Sequence, residues 1–140
     1  MIKKSLILLA ILSLAGCNAT MQDRVLDSGD QSQMQKRSYQ SRVFETNDKE
    51  KVMRGVISTL QDLSFVIERA DMTLGAVSGT KIDKGFPIRI TVSVRAKGQT
   101  QMSVRANAQF NLKPVEDPKP YQDLFSSLEK SLFLTAQLGE

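Results

Sequence analysis

The chain has no histidine, no tryptophan and a single cysteine, at position 17. Without histidine it lacks the usual general base, the commonest metal ligand and any Ser-His or Cys-His nucleophile. A zinc site would have to be built from carboxylates alone, a poor donor set for that ion. These absences lead us to expect no metal, no catalytic residues and no enzyme. A lone cysteine also excludes a disulfide within the chain. No charge of one sign dominates. The formal net charge of +4 includes Lys3 and Lys4, both in a segment expected to be removed, so the remainder is only weakly basic. That balance does not point to a nucleic-acid binder. Nor does any apolar run approach the roughly 20 residues that a membrane-spanning helix requires.

What is present begins at the first residue. Met1-Ile2-Lys3-Lys4 is a positive start, Leu6 to Leu14 is a short apolar run broken only by Ser13, and Leu14-Ala15-Gly16-Cys17 follows. This is the order of a secretory signal peptide, residues 1–16, ending in a small-residue cleavage site. The last four residues match the lipobox of bacterial lipoproteins. Ala15 and Gly16 suit a narrow peptidase site, and cleavage between Gly16 and Cys17 frees a thiol that can carry lipid. The alternative, a secreted protein with a free N-terminal cysteine, wastes the one cysteine at the one position that lipidation requires. Several acyl chains anchor firmly where one holds only marginally. Asn18 stands where an Asp would resemble an inner-membrane retention signal. The expected address is therefore the periplasmic face of the outer membrane, with the inner membrane less favoured, and the only attached group is lipid on Cys17.

Residues 17–36 are polar with no sustained apolar period, the composition of a flexible tether. Stretched, it reaches on the order of 60 Å. Residues 37–140 are expected to form one domain. Ser38 to Glu45 reads as a strand. Asn47, with Glu50 three residues on, reads as the start of a helix over 48–63, whose Val52, Val56, Ile57, Leu60 and Leu63 recur at helical spacing. Phe65 to Glu68 is a short strand, Met72 to Gly75 a turn, and Ala76 to Lys81 a third strand. Ile88, Ile90, Val92, Val94 and Ala96 then alternate with polar residues, as do Met102, Val104, Ala106, Ala108 and Phe110 beyond Gly98. That is a hairpin with one buried and one wet face. Prolines 114, 118 and 120 end the sheet, and Tyr121, Leu124, Phe125, Leu128 and Leu132 mark a last helix over 119–136. The order β-α-β-β-β-β-α predicts an α+β fold: one antiparallel sheet of about five strands, covered on one face by two helices.

Leu60-Gln61-Asp62-Leu63-Ser64-Phe65, Leu74-Gly75 with Lys81 beyond, Tyr121-Gln122-Asp123-Leu124-Phe125 and the run from Lys130 to Gln137 carry a resemblance. Together with the lipobox they resemble a family of small, largely uncharacterised outer-membrane lipoproteins of Gram-negative bacteria. These are packing and turn motifs, and they carry over no catalytic residue. Ser64 departs from the family's Gly before the Phe, which bears on the turn after the first helix. The topology is also similar to the helix-grip domains of the outer-membrane assembly lipoprotein BamC, an analogy of fold alone.

The wet face of the hairpin is the first candidate site. Arg89, Arg95, Lys97 and Arg105 share it with Thr91, Ser93, Ser103, Asn107 and Gln109, and no acidic residue interrupts the row. Such a face suits anionic lipid, glycan or an acidic protein patch, or is simply a sheet surface kept charged against aggregation. Leu132-Phe133-Leu134 is apolar over three positions, wider than one helix face needs, which makes Phe133 and Leu134 a candidate interface. Two other patterns carry less. Gly75 to Lys81 has the glycines but not the order or following helix of a phosphate loop. Asp62, Glu68, Asp71 and Asp83 have no spacing that pairs two carboxylates for acid–base work. The expected role is a non-enzymatic binding or assembly module of an envelope complex, with a protein partner there and no nucleic acid. The alternative is a carrier or sensor of an anionic lipid or glycan, using the basic sheet face or a groove between helix and sheet.

Overall fold

A computed structural model describes the backbone of residues 33–138 and the side chains of residues 33–133. Cys17 and Gly16, with the expected signal peptide and most of the expected tether, lie outside the described residues. The chain divides into units at residues 1–34 and 35–140, and the fold below is that of the second. It opens within helical residues 33–40 (α1), followed by β1 (Ser41–Phe44), α2 (Lys49–Asp62), β2 (Val66–Asp71), β3 (Ala76–Asp83), β4 (Phe86–Lys97), β5 (Gln101–Phe110), β6 (Lys113–Pro114) and α3 (Pro118–Leu138). The strands form one open antiparallel sheet in the order β1-β5-β4-β3-β2, with β6 also pairing on β5. The α+β arrangement expected from the sequence is therefore present.

Three local expectations need correction. Residues 38–40, read as the start of a strand, are helical, and so are 33–36 at the end of the expected tether. Ser38 holds that turn by donating its hydroxyl to the Gln35 carbonyl at 2.7 Å, a local bond that competes with extended structure. The cap of α2 is Asp48, one residue past the expected Asn47: its carboxylate accepts the Lys51 amide at 2.9 Å. Both residue types cap well, and the charge of Asp48 also suits the positive helix start. β6, two residues of the proline-bearing linker, adds a sixth strand.

The close of α2 explains Ser64. Its amide donates to the Gln61 carbonyl and the Phe65 amide to the Leu60 carbonyl, both at 2.9 Å. This is the paired bonding that ends a helix through one left-handed residue, and Ser64 is that residue, with φ of 68°. Leu60 and Phe65, which the motif brings together, are both buried.

The core lies between one sheet face and the two long helices. Val77, Val92, Val94, Val104 and Ala106 rise from the sheet to meet Val52, Met53, Val56 and Leu60 of α2 and Tyr121, Leu124, Phe125 and Leu128 of α3. Gly55 lets the helices approach. A β-carbon there would stand 3.0 Å from the Leu132 Cδ2 and 3.2 Å from the Leu128 Cδ1.

Candidate functional site

Strand register places the sequence-predicted cations. Arg105 stands opposite Ser93 and Arg95 opposite Ser103, so the two arginines are diagonal neighbours. Such neighbours lie roughly 7–8 Å apart, and Lys97 is two residues further along the same face. Arg89 is six residues from Arg95 on β4, on the order of 20 Å away. It faces Gln109 on one side and Thr80 on the other. The four expected cations are therefore a cluster of three and an outlier. Among the described residues none of the four forms an ion pair. Acids stand only at the margins of this face. Glu45 accepts the Gln101 side-chain amide at 2.6 Å, and Asp71 pairs with Arg69 at 3.3 Å.

At the other predicted interface, Phe133 is 63% exposed, while Leu132 beside it packs against the core. Leu134 lies in α3, with its side chain outside the described residues. Asp71, one of the four carboxylates considered above, has a lowered pKa. The Leu74 amide, at 2.8 Å, is the main cause holding it below the usual range, and Arg69 adds to the effect. Among the described residues, no three of His, Cys, Asp and Glu stand together as metal ligands. Gly75 to Lys81 form a turn and a strand rather than a phosphate loop.

The groove between helix and sheet, considered for the alternative role without residues assigned to it, takes its lining from the fold. Between α3 and the sheet, on the helix side, lies a groove of about 520 Å³, within the size range of small-molecule sites. Its floor is Ile88, Ile90, Ala108 and Phe110, and its walls include Leu63 and Phe65 after α2 and Tyr121 and Leu124 on α3. The reason it is open is length. β4 has 12 residues, about 40 Å of extended chain, whereas α2 has 14, about 21 Å of helix, and α3 has 21, about 31 Å. The sheet outruns its cover, and small Ala108 leaves space at the edge.

Tyr121 closes the inner end. Its hydroxyl accepts the Ala108 amide at 3.2 Å and donates to the Val115 carbonyl at 2.9 Å, filling the stretch of β5 between β1 and β6. Charges ring the groove. Lys81 extends over the Phe65 ring, 4.6 Å from its centre, and donates to the Leu63 carbonyl at 3.3 Å. Asp117 accepts the Lys119 amide at the start of α3, and Lys119 pairs with Asp123 at 2.8 Å, a hydrogen bond that raises the ammonium's pKa. Asp83 completes the ring. Apolar walls with a polar margin can hold an apolar group and orient its polar end. The sequence signal was available in the mismatch between two ten-residue alternations and a helix of four turns.

No protein-family model matches the chain, and no curated protein matches it.

Proposed function

We propose that this chain is a non-enzymatic binding module, tethered through lipid on Cys17 to the periplasmic face of the outer membrane, that serves an envelope complex. The supporting observation is the cluster of Arg95, Lys97 and Arg105, fixed on a sheet face and without ion-pair partners among the described residues. Like charges at such spacing repel one another, and an acidic surface on a partner protein relieves that repulsion. The rigid strand backbone gives the cluster a defined shape, and binding through it weakens as salt rises.

The test is photo-crosslinking in living cells from Arg95, Arg105 and Phe133 in turn, followed by mass spectrometry. A discrete protein adduct at the arginines, lost in Arg95→Glu with Arg105→Glu, is the expected result. Adducts to lipid or glycan alone would sink the protein-partner reading. They would favour the second reading, a carrier or sensor of an anionic lipid or glycan, for which the open groove with Lys81 at its margin speaks. That reading requires ligand to stay with the protein in native mass spectra after gentle extraction.

A further inference from the structure

The far end of the sheet carries a cap of exposed apolar side chains. Leu112 is 74% exposed and Ile82 69%, and Phe86 and Phe110 are half-exposed with ring centres 5.6 Å apart. Ile82 and Phe86 flank the turn from β3 to β4, Phe110 precedes and Leu112 lies in the turn from β5 to β6, and Phe110 continues into the floor of the groove. Leu112 is the telling residue. It adopts φ of 71°, next to Asn111 at 43°, in the left-handed region where bulky side chains are rare. Folding alone would favour a glycine or asparagine there, and solvent would favour a polar side chain. A bulky apolar residue that satisfies neither demand calls for an apolar contact outside the domain.

We infer that this tip inserts into the lipid bilayer that holds the anchor, an inference that rests on the lipoprotein reading above. Two observations choose the bilayer over a protein. The first is charge: Lys84 in one turn, Lys113 on β6 and Arg89 three residues in from Phe86 stand with Asp83 at the tip. Glu116 and Asp117 lie beyond β6 and are engaged by Lys36 and by the Lys119 amide, a balance that suits anionic headgroups around an apolar wedge. The second is where the described chain begins. Lys36 of α1, the helix that follows residues 17–32 in the chain, pairs with Glu116 at 2.6 Å, two residues beyond the end of β6, so α1 lies beside the segment that leads away from Leu112. Residues 17–32 reach on the order of 50 Å when extended, ample for the tip to meet the surface. The basic cluster at Arg95 lies nine residues from Phe86 along β4, roughly 30 Å away, free to face the periplasm while the tip is in lipid.

The absence of tryptophan makes the test direct. Leu112→Trp and, at the opposite turn, Thr100→Trp are made singly in the full lipidated chain. Each is reconstituted into phosphatidylcholine–phosphatidylglycerol vesicles whose acyl chains carry bromine. A tip seated about 5–10 Å into the interface gives a blue-shifted emission at 112 and a loss of about half of it or more to bromine, with little loss at 100. Reversing Lys84 and Lys113 to Glu reduces the loss. Equal quenching at both positions, or a water-like, unquenched Leu112→Trp, overturns the inference, as does a buried but unquenched one, which means a protein or second copy covers the tip. An intact mass without acyl groups on Cys17 overturns the anchor instead. In that case the same pair mixed with vesicles still decides the tip, upheld by selective quenching at 112 and overturned without it.

Discussion

The residues of β4 and β5 that point toward the helices differ from one end of the sheet to the other. In the middle, Val92, Val94, Val104 and Ala106 are almost completely shielded beneath α2 and α3. A few rungs on, Ile88 is only partly buried, and Phe86 and Phe110 are half-exposed, although the same alternation carries all of them. Period-two patterning states which face of a strand is apolar. It says nothing about how much of that face a helix will cover, since a helix advances 1.5 Å per residue and a strand more than twice that. The covered part of the face supplies stability, and the bare part is left to bind.

That contrast is sharpest in truncation. Phe125→Ala, in the covered region, is expected to lower unfolding free energy by about 3–5 kcal/mol. Phe86→Ala, of identical chemistry at the bare end, should cost about 1 kcal/mol or less, mainly its ring contact with Phe110. Denaturant titrations of both variants decide the point, and comparable losses would break the comparison. Tyr121 sits on the boundary. Tyr121→Phe leaves the Ala108 amide and Val115 carbonyl without their shared partner, and we expect a loss of about 1–3 kcal/mol. Hydrogen exchange at Ala108 should accelerate more than at Val104, which lies under full cover.

Ser64→Gly should stabilise. Relief of the left-handed serine is worth about 1–2 kcal/mol, and the greater freedom of glycine in the unfolded chain takes back about half of that. A net gain of about 0.5–1 kcal/mol in thermal unfolding is expected, with the groove wall at Leu63 and Phe65 unchanged. The smallest effect belongs to Asp71, at the edge strand. Its carboxyl has a depressed folded pKa, so its contribution is present above the ordinary carboxylate pKa and lost as pH falls through the folded value. The melting-temperature difference between the native chain and Asp71→Asn should therefore shrink on going from neutral to acid pH.

Much of this fold was legible in the residues. The hairpin from Ile88 to Phe110 announced itself because antiparallel pairing exposes one face, and α2 followed within a residue at each end from a 3.6-residue period, although its cap is Asp48 and not Asn47. The illegible parts share a cause. Residues 38–40 contain Tyr39, which favours a strand in isolation, but in the fold its ring lies 5.4 Å from that of Tyr121 and packs on the core from a helix. β6 contains a proline and has no period to read at two residues. It pairs because the turn at Asn111 and Leu112 brings Lys113 opposite Phe110. The basic face was legible as a row. Its division into a cluster and a distant Arg89 was not, since that depends on cross-strand register.

By itself the sequence determined the faces: which side chains on each strand and helix are apolar, which are charged, and where the chain must turn, since these follow from local period and backbone preference. It also carries Leu14-Ala15-Gly16-Cys17, a contiguous motif whose proposed reading as a lipobox needs no fold. Only the tertiary structure decided how far the helices reach along the sheet, and so created both the groove and the apolar tip. That outcome depends on where elements of unequal rise come to lie against one another, which no local pattern encodes.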